Sequence, residues 1–329
     1  MNMKSKRICS LAIAGCLVAA GVAGCGTQKN ELLSYRVEAP AITDTAVTAG
    51  ASGYFSEELC VIPKKKQTRK QDAVMSAKAS LLINDTSETM LYSHNIYKKV
   101  YPASITKIVT ALVALKYGNL EEEVTVSYNA SHITEYGAKL CGFNEGDKIK
   151  LEDLLCSFLI CSGNDAGIAI AEHIAGDVDS FAEMMNQEMQ RLGAVHSHFV
   201  NPHGLHDKEH YTTAYDLYLV FHELAKNETF MKIVEQPDYT AKFRNKKNKK
   251  KKLYFLSTDR YLIGRATAPA GITVLGGKTG TTIDAGSCLI LYSKDEKDNH
   301  FISVVLKAAG GDDLYVQMNH LLELASQAA

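Results

Sequence analysis

The apolar pattern of this chain changes period twice, and that order limits the folds open to it. Ala79-Ser80-Leu81-Leu82-Ile83 and Met90-Leu91-Tyr92 read as two strands of a hairpin turning at Asn84-Asp85-Thr86-Ser87. From 105 the spacing becomes helical. Residues 105–116 are apolar nearly all round, which predicts a buried helix. Leu151, Leu154, Leu155, Phe158 and Leu159 mark the next helix, and 165–175 another that ends at Gly176. Phe181, Met184, Met185, Met189 and Leu192 mark a fourth, closed by Gly193, with two more at 213–226 and 229–235. Strand patterns return at 239–244, 253–256, 272–275, 288–292 and 301–306, before a last helix at about 314–326. Strands at both ends with helices between predict α+β. The expectation is an antiparallel sheet built from both ends of the chain, flanked by helices, with an inserted all-helical subdomain.

Before residue 76 the pattern is different. Lys4, Lys6 and Arg7 precede an apolar stretch over 8–24, with no acid, which is the layout of an export signal. Those seventeen residues fall short of the roughly 20 that a membrane span needs. The stretch ends Val22-Ala23-Gly24-Cys25, which resembles the bacterial lipobox. Residues 1–24 are therefore expected to be a lipoprotein signal peptide. Cys25 is then lipidated, and the chain is anchored to the lipid bilayer on the outer face of the cytoplasmic membrane. Residues 25–75, rich at first in Ala, Thr, Gly and Ser, read as the lipidated N-terminus and a flexible tether, with a short strand pattern at 54–63. Residues 76–329 are left as one catalytic domain. Over the whole chain, 36 Lys+Arg against 37 Asp+Glu give a charge of −1, which argues against a general nucleic-acid binder. Removing the signal would leave −4. Beyond the address, Cys60, Cys141, Cys156, Cys161 and Cys288 form no Cys-x-x-Cys pair, so buried thiols are expected rather than a disulfide framework or a zinc ribbon.

Three short motifs stand in order along the domain: Ser104-Ile105-Thr106-Lys107, Ser162-Gly163-Asn164 and Lys278-Thr279-Gly280. Ser104 and Lys107, three apart at a helix start, share one face. A serine needs an adjacent base to become a nucleophile. Lys107 serves only if neutral, so a pKa near 10.4 must fall by about 3 units, some 4 kcal/mol. Burial among Ile105, Ile108 and Val109 and a second cation, Lys278, would do this. Ser162-Gly163-Asn164 lies in a turn between two apolar helices, where by itself it reads as a helix break with an Asn cap. Lys278-Thr279-Gly280 lies on or just after a strand, and Gly280 permits close backbone approach.

Together, these motifs resemble the penicillin-recognising serine hydrolases, specifically the low-molecular-mass D-alanyl-D-alanine carboxypeptidases. The resemblance runs from about residue 79 to the C-terminus. It includes Tyr101-Pro102-Ala103, Asn164-Asp165-Ala166, Asn201-Pro202-His203-Gly204-Leu205, His210-Tyr211 and Ala285-Gly286. It implies a DD-peptidase/β-lactamase-like fold, with Ser104 as nucleophile, Lys107 as base and Ser162 relaying a proton to the leaving D-alanine. Asn164 would hold the substrate amide, and Lys278, Thr279, Gly280 and Thr281 the substrate carboxylate. The backbone N–H groups of Ser104 and Thr281 would form the oxyanion hole. The implied reaction removes the terminal D-alanine from peptidoglycan stem pentapeptides through a Ser104 acyl-enzyme. β-Lactam antibiotics would be covalent inhibitors, and neither cofactor nor metal is implied.

A class A-like β-lactamase and a non-hydrolytic penicillin sensor are the alternatives. The first needs a deacylating Glu in a Glu-x-x-Leu-Asn loop; Glu223 to Asn227 is the one Glu-x-x-x-Asn, with Lys226 in place of Leu. The second would be coupled to membrane helices. Relatives continue into a β-rich domain and a C-terminal amphipathic helix, so Cys25 is expected to take that anchor's place. Relatives also carry an Arg before the last helix, where Asp312-Asp313-Leu314-Tyr315 stands here.

Three other patterns point elsewhere. Gly276-Gly277-Lys278-Thr279 lacks the first Gly of a phosphate loop, since Ile272 stands there, and no helix pattern follows. His196, His198, His203, His206 and His210 evoke a zinc peptidase, but they lie in a loop rather than on helix or strand faces, so ordinary loop histidines are expected. The run Lys246-Lys247-Asn248-Lys249-Lys250-Lys251-Lys252 reads as a solvated hairpin tip.

Overall fold

A computed structural model describes residues 59–60 and 72–328. The signal peptide, Cys25 and nearly all of the tether, including most of the 54–63 strand pattern, lie outside the described residues.

The hairpin forms as expected. β1 (Ala79–Asn84) and β2 (Thr89–His94) pair antiparallel, and Asn84 Oδ1 accepts from the Ser87 N–H at 2.9 Å inside the turn. β1 also pairs with the last strand, so both ends of the chain build one sheet. Its order is β2-β1-β9-β8-β7, with β7 (Ile272–Thr282), β8 (Gly286–Asp295) and β9 (His300–Ala308) antiparallel to one another.

Every residue of β1 is buried, because both faces of the sheet are covered. Leu82, Leu289, Leu291, Phe301 and Val305 pack on the C-terminal helix through Leu314, Met318, Leu321 and Leu322. Leu81, Ile83, Ile290, Ile302 and Val304 face the opposite way, into the helical block. There α1 (Thr106–Tyr117) is buried continuously from Thr106 to Ala114, as its all-round apolar sequence requires. Around it stand α3 (Leu151–Cys161), α4 (Asn164–Ala175), α5 (Val178–Arg191), α6 (Ala214–Ala225) and α7 (Glu228–Val234). The C-terminal helix is α8 (Gly311–Gln327). None of the helices among the described residues is long and apolar enough to cross a membrane.

The insert is not all helical. β5 (Asp238–Arg244) and β6 (Lys250–Leu256) leave the main sheet and join β3 (Glu123–Thr125) and β4 (Lys148–Lys150) in a second sheet, ordered β3-β4-β5-β6. β3 and β4 have three residues each and one buried apolar side chain, Val124 or Ile149. That is too little for a period to show. The four-residue α2 (Tyr128–Ser131) escapes sequence reading for the same reason. Across β5 and β6, Lys242 faces Lys252 and Arg244 faces Lys250 on the exposed side. The lysine run is thus only partly a tip: Asn245 caps the turn through the Lys247 and Lys249 N–H groups, and Lys250–Lys252 belong to the strand.

Candidate active site

Three walls converge. The first is a single 3-10 turn, Ala103–Ile105, leading into α1, which carries Ser104. The second is the two-residue link between α3 and α4, where Ser162 adopts a left-handed φ of 67° and Asn164 starts α4. The third is β7, which contains all of Lys278, Thr279, Gly280 and Thr281. Ser104, Ser162, Asn164, Thr279, Gly280 and Thr281 line one cleft of about 310 Å³. Lys107 and Lys278 lie beneath it, 0% and 1% exposed. Of the residues selected from sequence, only Cys25 falls outside this assembly, because it lies outside the described residues.

Close approach at the cleft floor depends on two glycines. A Cβ on Gly280 would lie 2.8 Å from the Ser104 nitrogen and 2.9 Å from that of Ile105, so β7 passes directly over the Ser104 turn. Gly204, at φ +88°, sits so near the Ala103 carbonyl that a Cβ would fall 1.9 Å from its oxygen. Ala103 itself is left-handed, at φ 47°, an unfavourable state for a residue with a side chain. Its carbonyl accepts from Thr106 Oγ1 at 2.8 Å, and Thr106 Oγ1 lies 2.7 Å from His210 Nε2. The Val200 N–H donates to His210 Nδ1 at 3.2 Å, so Nε2 carries the proton and donates it to Thr106. Burial lowers the His210 pKa to about 3, which keeps this chain of bonds neutral.

Lys107 is the centre of the electrostatics. Its Nζ lies 2.8 Å from Asn164 Oδ1, 2.7 Å from the His203 carbonyl and 3.0 Å from Ser104 Oγ. Burial, and then the charge of Lys278, hold its pKa well below the usual ammonium range. A neutral amine has two N–H bonds and one lone pair. Asn164 Oδ1 and the His203 carbonyl can only accept, so they take both N–H bonds. The lone pair is left for the Ser104 hydroxyl.

Lys278 makes a second pair, with its Nζ 3.1 Å from Ser162 Oγ and 3.0 Å from the Thr279 carbonyl. Burial, then the charge of Lys139, lower its pKa to about 7. Thr279 Oγ1 donates to Thr258 Oγ1 at 2.6 Å.

Several contributors carry no motif. Thr258, Lys139 and Gly137 line the cleft from loops that no periodicity marks. Asp165, buried, accepts from the Cys141, Gly142 and Phe143 N–H groups at 2.8, 2.8 and 3.2 Å and ties that loop to α4. Asp312 is bonded to Arg260 at 2.6 Å, and the Arg260 guanidinium also lies over the Tyr315 ring. The five histidines disperse. His196 faces Asp216, His198 bonds the Glu209 carbonyl, and His206 meets the Tyr101 ring edge-on. His203 and His210 are loop residues, as expected, but buried ones. Among the described residues, no group of three or more His, Cys, Asp or Glu is placed to hold a metal ion.

A serine hydroxyl set against a buried lysine amine is the arrangement these contacts describe. The chain belongs to the D-alanyl-D-alanine carboxypeptidase family, peptidase S11, whose family model matches residues 65–310. It is 30% identical over 266 residues to D-alanyl-D-alanine carboxypeptidase DacF of Bacillus subtilis, covering 80% of this chain and 65% of that one. Against DacC of Escherichia coli the identity is 32% over 242 residues, covering 71% of this chain and 57% of the relative. This chain therefore spans less than two thirds of the length of either relative. Among solved structures, a point mutant of a Streptomyces DD-transpeptidase superposes with a TM-score of 0.71 at 26% identity, covering 78% of this chain and 98% of that one. Penicillin binding protein 5 of Haemophilus influenzae gives 0.67 at 29%, covering 78% and 71%.

Proposed function

We propose that this protein is a serine D-alanyl-D-alanine carboxypeptidase that removes the terminal D-alanine of peptidoglycan stem pentapeptides and is acylated by β-lactams. The observation that carries this reading is the buried Lys107 Nζ, 3.0 Å from Ser104 Oγ, with Asn164 Oδ1 and the His203 carbonyl as its two acceptors. Lys107 takes the Ser104 proton as Oγ attacks the carbonyl of the D-Ala-D-Ala bond. The oxyanion forms against the Ser104 and Thr281 N–H groups; Gly280, next to Thr281, lies close over the Ser104 nitrogen. Ser162, bonded to Lys278, relays to the leaving amine the proton that Lys107 took, which leaves Ser162 a hydroxyl and Lys107 neutral again. Water then attacks the acyl-enzyme with Lys107 again as base. Asn164 has its Oδ1 on Lys107, which leaves Nδ2 for the substrate amide.

Lys278, Thr279 and Thr281 hold the terminal carboxylate. Arg260, two residues beyond the cleft-lining Thr258 and ion-paired with Asp312, is the cation that we assign to the place of the relatives' Arg. The β-lactamase alternative lacks its base among the described residues. No carboxylate lines the cleft, and Glu223 pairs with Arg191 at another cavity. The organisation into signal peptide 1–24, lipidated Cys25 with a tether, and catalytic domain 76–329 at the outer face of the membrane belongs to the same proposal and rests on the N-terminal sequence. A Cys25→Ala change is expected to release the protein from membranes.

The deciding experiment mixes the protein with a fluorescent penicillin and with a diacetyl-Lys-D-Ala-D-Ala peptide, for wild type and Ser104→Ala. Labelling and D-alanine release by wild type alone are expected. No labelling of wild type sinks the acyl-enzyme. Rapid penicillin turnover would instead make the protein a β-lactamase, and labelling without peptide hydrolysis a sensor.

A further inference from the structure

Cys60 and the four cysteines of the domain are unbridged and buried, and two of the four meet beside the cleft. Cys141 Sγ lies 3.4 Å from Cys161 Sγ. Cys161 is the last residue of α3, immediately before Ser162. Cys141 belongs to the loop that contributes Gly137 and Lys139 to the cleft. The same loop is bound to the second motif at two further points: the Asn164 N–H donates to the Lys139 carbonyl at 2.6 Å, and Asp165 accepts from the Cys141 N–H. Gly163 packs so closely on Cys141 that a Cβ there would lie 2.2 Å from the sulfur. The two sulfurs are thus held face to face by structure on both sides, and any change in their separation is transmitted to Ser162.

We propose that Cys141 and Cys161 are a modification site, an oxidisable dithiol whose closure to a disulfide clamps the cleft loop onto the Ser162 turn and slows acylation of Ser104. Its effect on acylation rests on the function proposed above; the closure itself does not. The thiols are inequivalent. A hydrogen bond from Cys141, and the charge of Lys139, lower the Cys161 pKa, whereas burial raises that of Cys141. Cys161 is therefore the attacking sulfur. With a peroxide as oxidant, the Cys161 thiolate attacks the O–O bond, giving a sulfenic acid and releasing hydroxide, which takes up the proton lost from the thiol. Cys141 sulfur then attacks the sulfenyl sulfur and expels the second oxygen as water, with the Cys141 proton. Two thiols and one hydrogen peroxide yield one disulfide and two waters.

A disulfide needs about 2.05 Å between sulfurs, so the two must approach by about 1.4 Å. Movements of about 1 Å at a reacting group can lower a rate about a hundredfold. Ser162, next in the chain and bonded to Lys278, takes up part of this movement.

The test treats the full chain with hydrogen peroxide, blocks free thiols by alkylation, maps the cysteine peptides by mass spectrometry and times labelling by a fluorescent penicillin. A peptide linking Cys141 to Cys161 is expected, with labelling at least about tenfold slower in the linked protein and restored by dithiothreitol. Cys141→Ala should label at the rate of reduced wild type and lose its sensitivity to peroxide. If that variant does not fold, the wild-type map and its reversal by dithiothreitol still test the proposal. Cys141 and Cys161 that remain alkylatable while other cysteines oxidise would overturn it, as would linked protein labelled at the reduced rate. A protein that links but is labelled in neither state removes the acyl-enzyme reading and leaves the dithiol standing.

Discussion

Basic side chains occupy two opposite settings in this protein. Beneath the cleft, Lys107 and Lys278 are closed from water, with hydroxyl, carbonyl and amide oxygens as hydrogen-bond partners but no carboxylate. On the outer face of the second sheet, Lys242, Arg244, Lys250 and Lys252 form two like-charged cross-strand pairs with no ion pair among the described residues. Water and salt screen that exposed face. In the cleft nothing does, and burial lowers the pKa of both amines instead. An identical side chain therefore gives up its proton more readily in one place than in the other. The difference lies in solvation.

That contrast breaks first at Lys107. Lys107→Arg keeps a cation of similar reach but cannot be deprotonated, so single-turnover penicillin labelling should slow by about 10²–10⁴-fold. Labelling at the wild-type rate would show that the neutral amine is not the base. Wild-type labelling should also decline toward low pH as Lys107 takes up a proton, since its pKa is depressed but not abolished.

Lys278 sharpens the comparison through stability. Its pKa is about 7 in the folded chain and near 10.4 when unfolded, so between those values the unfolded chain binds more protons and folding gains stability as pH rises. Lys278→Met should therefore be more stable than wild type at pH 6, by an amount on the order of 1–3 kcal/mol. That advantage should shrink as the pH rises toward 9. Denaturant titrations at both pH values decide it, and a constant gap would contradict the buried-amine account.

Arg260 lies outside the residues lining the cleft, ion-paired with Asp312, and its proposed part in binding is tested separately. Arg260→Ala should raise KM for the peptide by about three- to tenfold with kcat nearly unchanged, the pattern of a lost ground-state contact. A fall in kcat alone would place the residue elsewhere in the mechanism.

The smallest effect belongs to the second sheet. Lys242→Glu, opposite Lys252, turns repulsion into attraction, and should stabilise the fold by about 0.2–1 kcal/mol at low salt and less at high salt, with penicillin labelling unchanged.

How much could be read in advance follows the strength of each local signal. Long periodic segments such as 105–116 and 151–161 announced their helices, and the three motifs marked Ser104, Ser162 and Lys278. β3 and β4 have one apolar residue each and gave no period, so the second sheet went unread and β5–β6 were assigned to the first. Thr258, the bonds of Asp165 to the Cys141 loop and the meeting of Cys141 with Cys161 were equally silent. Each acts through a partner brought close only by folding, and the thiols are 20 residues apart.

The sequence by itself determined the order of elements, the reactive groups available and the family they define. Whether Lys107 is a cation or a base was decided by the tertiary structure alone. Ser104, Asn164 and His203 come from three separate stretches of chain, and only their convergence around an amine withdrawn from water settles which protons it keeps.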